Sequence, residues 1–328
     1  MDMIYPLQFI PVFKDYIWGG RNLEKLGRRL PKGVNVAESW EIAAHEDGMT
    51  RVENGPLSGM TLQKVFEMLG EDLVGSRNKW AIERGKFPLM VKLIDANQPL
   101  SVQVHPDDAY AREIEDNVQG KTEMWIVLDA QPDTEIIYGL TEEISPESFR
   151  KAIMDGTLEK YLNQVPISKG DHICVPSGTL HAILDGAMIL EIQQNSNITY
   201  RVFDWNRVGE DGQPRQLHVT EALDVINFSQ VRMSLPTPIK HLETKTMQSE
   251  RLCQNEYFTT DRLTLQPGAS YSGMCDGRTF EIWGVLSGSA RIAGQVMGGV
   301  SFILIPAALG PFEVTAISET QVIRTFVA

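Results

Sequence analysis

The chain has 328 residues, of which 42% are hydrophobic and 22% charged, a globular composition long enough for one large domain or two to three smaller ones. With 30 basic and 43 acidic residues the formal net charge is −13, which argues against nucleic acid or an anionic membrane as partner and obliges any anionic ligand to find a local patch of positive charge. The opening MDMIYPLQFIPVFKDYIW has no basic start followed by an unbroken apolar run, and no apolar stretch is long enough to span a bilayer, so a cytoplasmic protein is expected.

The first clear period is helical. TLQKVFEMLGEDLVG starts at a Thr61 cap and repeats Leu62, Val65, Phe66 and Leu69 at i, i+3, i+4 and i+7. FPLMVKLIDA and LSVQVHP then read as strands, and DDAYAREIEDN, after Pro106, predicts a short helix. EMWIVLDA and TEIIYGL are strand-like, and SPESFRKAIMDGTLEKYLNQV predicts a helix capped by Ser145 with Pro146 in its first turn. Strands HICVPSG, MILEIQQ and ITYRVFDW precede a fourth candidate helix, HVTEALDVINF. The polar segment PTPIKHLETKTMQSE has no clear period and is the candidate linker. Beyond it FTTDRLTL, TFEIWGVLSG, SARIAG, SFILIP and PFEVTAI read as strands. Many short strands without strand–helix alternation predict a mainly β fold, a sandwich or jelly-roll barrel with a few inserted helices. A weak repeat joins the halves: Glu123 is followed by MWIVLD and Glu281 by IWGVLS.

Two segments carry candidate chemistry. In LSVQVHPDDAY, Ser101, Gln103 and His105 share one strand face while Val102 and Val104 take the other; the polar face is either a ligand set or a solvated surface. In GDHICVPSGTLHAI the spacing is G-x5-P-x-G-x2-H, and the turn needs its Pro and Gly but not His181. Alone, a histidine at a strand start is usually an ordinary polar residue. Joined to Gln103, His105 and the strand residue Glu123, it makes an N/O set suited to Zn²⁺ or another divalent first-row ion, with a position left open for water or substrate. Cys174, Cys253 and Cys275 form no CxxC pair and are expected to be reduced and structural.

The G-x5-P-x-G-x2-H run resembles the second motif of the cupin superfamily, with Asp185 where that motif expects Asn. More narrowly, LSVQVHPDD, GKTEMW, VPSGTLHAI and LEIQQNSNITYRVFDWNR resemble type I mannose-6-phosphate isomerases in their short bacterial form, and YIWGG from Tyr16 and ESWEIAAH from Glu38 are similar to further family segments. The match weakens beyond about Phe228. The resemblance implies two cupin-like jelly-roll barrels. Residues 1–240 would be a catalytic cupin with helical insertions near 55–75 and 145–165, and residues 241–328 a degenerate cupin without metal.

By the same resemblance Gln103, His105, Glu123 and His181 would hold one zinc per chain, and Lys121, Glu191 and Arg201 would be catalytic. Lys121, Arg201 and Trp18 would meet the substrate, a small sugar phosphate; Lys14 and Lys92 are weaker contributors of charge. The implied reaction interconverts mannose 6-phosphate and fructose 6-phosphate by proton transfer between C1 and C2 through a cis-enediol. Either Lys121 or Glu191 could serve as base, Lys121 being preferred if burial and the metal depress its pKa. A monomer or weak homodimer is expected. The alternatives are a metal cupin acting on another sugar phosphate and a non-catalytic sugar-phosphate-binding module.

Overall fold

Runs of alternating side chains buried on both faces build the centre of the molecule. The computed structural model describes residues 3–114, 118–208 and 212–327. Its middle layer is a six-stranded antiparallel sheet in the order His172–Val175, Glu123–Ala130, Ala187–Gln194, Leu89–Ala96, Glu38–Ile42, Val12–Lys14. In three of these strands the period of two separates two destinations. Leu89, Val91 and Leu93, Met124, Ile126 and Leu128, and Met188, Leu190 and Ile192 face one large apolar cluster. Ile94, Trp125, Val127 and Ile189 face another, and Lys92, Glu123 and Glu191 alternate onto that second side.

A five-stranded sheet holds the rest of the predicted site strands, in the order Leu162–Pro166, Glu135–Leu140, His181–Ile183, Val102–Val104, Tyr200–Phe203. The C-terminal half adds a six-stranded sheet, Ile239–Glu243, Met247–Gln254, Thr259–Leu265, Thr320–Phe326, Glu281–Ser287, Ser301–Ile305, and a four-stranded one, Ser270–Cys275, Gly310–Ala316, Ser289–Ile292, Gln295–Gly298. The mainly β expectation is met. The first apolar cluster is shared between the halves: Phe87 and Leu93 sit in it with Phe280, Phe302 and Leu304, and the Phe87 and Phe280 rings are 5.1 Å apart.

Local signals place the helices. Thr61 caps Leu62–Leu69 by accepting from the Lys64 amide at 3.3 Å, and Leu62, Val65 and Phe66 are buried. Gly70, at φ +50°, separates that helix from Glu71–Val74, where one continuous helix was expected. The helix predicted from Ser145 spans Pro146–Met154 and stops before Gly156, which takes φ +66°; LNQV, the end of the predicted helix, instead belongs to the strand Leu162–Pro166. Asp108–Ile114 and Val219–Val225 are helices as predicted; the last predicted residues of the former, 115–117, lie outside the described residues. Lys79–Arg84 is a helix without a periodic signal in the sequence. Among the described residues no helix is long and apolar enough to cross a membrane.

Two expectations are corrected. The candidate linker is a β-hairpin, Ile239–Glu243 paired with Met247–Gln254; an exposed edge strand needs backbone partners but no apolar period, so its sequence reads as loop. Cys174 and Cys253 are joined as a disulfide with Cα atoms 5.9 Å apart, and only Cys275 is free. Their separation of 79 residues hides the fact that they end on touching strands.

The shared core predicts that Phe280→Ala destabilises the protein by roughly 3–5 kcal/mol, read from the urea midpoint. If the halves depend on it in common, intrinsic fluorescence and far-UV circular dichroism should report one coincident, shifted transition.

Candidate active site

The inward face of the central sheet presents an unusual density of charge. Lys92, on Leu89–Ala96, is 2% exposed; Glu191, on Ala187–Gln194, 4%; Glu123, first residue of Glu123–Ala130, 1%; and Glu38, first residue of Glu38–Ile42, 8%. Lys121 lies two residues before Glu123 and is also buried, its loop pinned by its own amide to the Pro106 carbonyl at 3.0 Å. The facing sheet contributes Gln103 and His181, which are directly paired across neighbouring strands, and His105 follows one residue past Val102–Val104.

These residues converge. One ligand atom each of His105, Glu123 and His181 lies within 4.8 Å of the others. His105 Nε2 is 3.5 Å from Glu123 Oε2, and His181 Nε2 is 3.4 Å from Glu123 Oε1. Each ring turns its other nitrogen to a backbone carbonyl, Nδ1 of His105 to Ile198 at 2.7 Å and Nδ1 of His181 to Thr179 at 2.9 Å. A carbonyl only accepts, so both Nδ1 atoms carry the proton and both Nε2 lone pairs point at the carboxylate, the arrangement by which proteins orient metal-ligating histidines.

Electrostatics agree with the geometry. Burial, reinforced by the Lys121 ammonium, holds His105 well below the ordinary histidine range, and burial brings His181 down to about 4; both stay neutral at physiological pH. Burial, then the neighbouring Glu191, pushes Glu123 up to about 7 despite its ion pair with Lys121. Among the described residues Glu123 Oε1 has no hydrogen-bond partner. A bare imidazole nitrogen facing an unpartnered carboxylate oxygen repels it unless a proton or a metal ion lies between, and this buried N/O donor set fits a divalent metal. Lys121 partly fills that role, donating to Glu123 Oε2 and approaching His105 Nε2 at 3.2 Å. Gln103 reaches the same cluster, but its amide nitrogen faces His181 Nε2 at 3.4 Å while Oε1 accepts from Ser101 Oγ at 3.2 Å; half a turn of the amide exchanges the two atoms.

A cavity of about 320 Å³ opens beside this cluster, and Gln103, Lys121, Glu191 and Arg201 all line it. Trp18, 4% exposed, forms part of its wall. Arg201 bonds Ser101 Oγ through Nε at 3.1 Å and the Gln216 carbonyl through Nη1 at 3.0 Å. Asp204, the acid nearest it in sequence, is taken instead by Arg207 at 2.5 Å and by Arg215. Lys92 is a pocket residue and not a surface one, 3.6 Å from Glu38 and 3.7 Å from Glu191. Lys14 is not among the lining residues; its ammonium lies 4.5 Å from the Trp40 ring, with Lys92 4.9 Å from the same ring.

Burial alone would depress Lys121, but the carboxylates of Glu123 and Glu191 outweigh it and the net shift is upward, so the protein groups by themselves keep it an ammonium. For Glu191 burial pushes up, Lys121 and Lys92 pull down harder, and the net shift is downward. Sequence reasoning did not find Glu38 or Arg215 as pocket residues. Glu38 had a signal, the ESWEI segment, whereas Arg215 lies in a loop-like run without a motif.

The profile of the type I phosphomannose isomerase catalytic domain matches residues 6–137. A probable mannose-6-phosphate isomerase of Bacillus subtilis is 37% identical over 327 residues, 98% of this chain and 99% of its own. The chain belongs to the type I phosphomannose isomerase family. A second B. subtilis mannose-6-phosphate isomerase is 36% identical over 320 residues, covering 96% of this chain and 97% of its own. The crystal structure of the mannose 6-phosphate isomerase from B. subtilis superposes with a TM-score of 0.86 at 33% identity, covering 98% of this chain and 99% of that one. In this chain the matched segment 6–137 contains Gln103, His105, Lys121 and Glu123, while His181, Glu191 and Arg201 lie on later strands.

The opposed shifts give a pH signature in metal-stripped protein. A histidine held at about 4 costs stability as pH falls below 6.5, because the unfolded chain takes the proton first. A carboxylate raised to about 7 costs stability as pH rises above 4.5. In urea titrations between pH 7 and 4.5, Glu123→Gln should lose stability on acidification more steeply than wild type, and His181→Gln less steeply. Identical slopes in all three proteins would contradict the charge states derived above.

Proposed function

We propose that this protein is a zinc-dependent isomerase that interconverts mannose 6-phosphate and fructose 6-phosphate by moving a proton between C1 and C2 through a cis-enediol. One observation carries the reading: a neutral-histidine and carboxylate metal set lies against a cavity lined by Gln103, Lys121, Glu191 and the Arg201 guanidinium. The cavity is electrically divided. On one side Lys92 and Lys121 meet the carboxylates of Glu38 and Glu191 and, behind the wall, of Glu123, two ammonium groups against three carboxylates, a local deficit of positive charge that suits a cation. Its other side brings Arg201 and Arg215, a pair suited to phosphate oxygens and to the charge condition that a −13 protein imposes.

His105, Glu123 and His181 would hold the ion, one per chain, with Gln103 joining them once its amide turns. Bound there, a divalent cation polarises a sugar carbonyl as a Lewis acid. The protein's own groups do the rest. Glu191 is a carboxylate kept ionised by two ammonium groups and fixed by the Trp125 indole N–H at 3.0 Å, and it accepts the C–H proton. Lys121, 3.6 Å from Glu191, holds the proton and the negative charge on the adjacent oxygen. Arg201 and Arg215 hold the phosphate, and Trp18 closes the apolar wall. We further propose two cupin-like jelly-roll halves, dividing near residue 240, in a cytoplasmic enzyme.

Purified protein should contain close to one zinc per chain and convert mannose 6-phosphate to fructose 6-phosphate; full zinc content with tight sugar-phosphate binding and no turnover would instead favour a binding module. His181→Ala should drop bound metal well below one equivalent and abolish turnover. Glu191→Gln and Lys121→Met should each lower kcat by roughly a hundredfold or more with metal content retained. Arg215→Ala should chiefly raise KM for the phosphorylated sugar.

A further inference from the structure

The disulfide between Cys174 and Cys253 lies where the two halves meet, and its surroundings give it a role. Cys174 sits in His172–Val175, opposite Met124, and the next residue, Val175, is opposite Glu123. The same segment turns through Gly178, whose amide donates to the His105 carbonyl at 2.8 Å, and returns as His181–Ile183. Cys253 belongs to Met247–Gln254 of the C-terminal sheet. The bond therefore fastens the C-terminal half to the strand–turn–strand that delivers His181.

We propose that Cys174 and Cys253 are a reversible oxidation site, taking a low-molecular-weight disulfide as oxidant and a small thiol as reductant, and that the oxidised form clamps the two halves together. The Cα separation of 5.9 Å lies within the range that a disulfide accepts without backbone movement. Contacts that do not depend on the bond hold the interface in register: Arg262 Nη1 donates to the Gly170 carbonyl at 2.8 Å, and Leu252, next to Cys253, is buried in the apolar cluster that the halves share. The sulfurs thus stay adjacent when reduced. Cys174 is half-buried while Cys253 is 4% exposed, which makes Cys174 the thiol that meets a reagent and Cys253 the one that resolves it. Cys275, 2% exposed within a separate apolar cluster, is a built-in bystander.

The chemistry balances. The Cys174 thiolate attacks one sulfur of the small disulfide and expels one small thiolate. The Cys253 thiolate then attacks Cys174 Sγ and expels the second, and the two protein protons end on the two small thiols. Closing a loop of 79 residues restricts the unfolded chain and leaves the folded site in place.

The test uses the full-length metal-loaded protein, reduced with a dithiol or oxidised with glutathione disulfide, then unfolded and alkylated for mass spectrometry. Three labelled cysteines are expected in the reduced form. After oxidation only Cys275 should be labelled, and a peptide crosslinking Cys174 to Cys253 should appear. The oxidised form should melt roughly 5 °C or more above the reduced one, reversibly, and Cys253→Ser should abolish the difference while retaining isomerase activity. Three labelled thiols after oxidation, a crosslink through Cys275, or equal melting temperatures would overturn the proposal. Should Cys253→Ser fold poorly, the wild-type labelling and melting comparison decides alone.

Discussion

Burying a carboxylate without enough partners is the constraint on which the site depends. Glu123 is 1% exposed and one of its oxygens has no hydrogen-bond partner among the described residues. A core that tolerates such a group must either protonate it or supply a cation. Here both answers are open: the Glu123 carboxyl is pushed up to about 7, and two imidazoles turn bare nitrogens towards it, their own protons committed to the carbonyls of Ile198 and Thr179, so a shared proton or a metal ion would satisfy both sides. The same requirement explains Lys121 and Lys92, buried ammonium groups that would be costly alone and are compensated by Glu38, Glu123 and Glu191.

The C-terminal half offers an internal comparison. Glu281 opens the strand Glu281–Ser287 much as Glu123 opens Glu123–Ala130, each with a tryptophan two residues on, and Glu281 is equally buried at 1%. Its charge, however, is met within the protein: Arg324 pairs with it and the Trp283 indole N–H donates at 2.8 Å. Trp125 donates instead to Glu191, which leaves Glu123 for the cation site. Two strands of like pattern thus end differently, one carboxylate met by a guanidinium and an indole N–H, the other by the Lys121 ammonium and two bare imidazole nitrogens.

The central sheet makes this possible because both of its faces are covered. One face packs on the cluster shared with Phe280, Phe302 and Leu304, which fixes the strands rigidly. The other face can then afford to carry Lys92, Glu123 and Glu191 inside a cavity. Positioning precision at the site is therefore supplied partly by the half of the molecule that contributes no residue to the metal set.

Much of this was legible in the sequence. The strands and the capped helix at Thr61 follow from period and turn chemistry, local properties written in neighbouring residues, whereas the candidate set Gln103, His105, Glu123 and His181 came from motif spacing joined to the family resemblance. What local pattern could not carry was pairing between distant segments. The hairpin at 239–254 looked like a linker because an edge strand needs no apolar face, and LNQV looked helical until Gly156 ended the helix and Glu135–Leu140 offered a partner. Lys92 read only as a weak contributor of charge because the fold alone covers both sides of its strand, and Arg215 and the Cys174–Cys253 bond left no spacing signal. The sequence by itself supplied the candidates for binding a cation and moving a proton; the tertiary structure alone decided their charge states and neighbours, because burial and proximity arise from contacts between residues tens of positions apart.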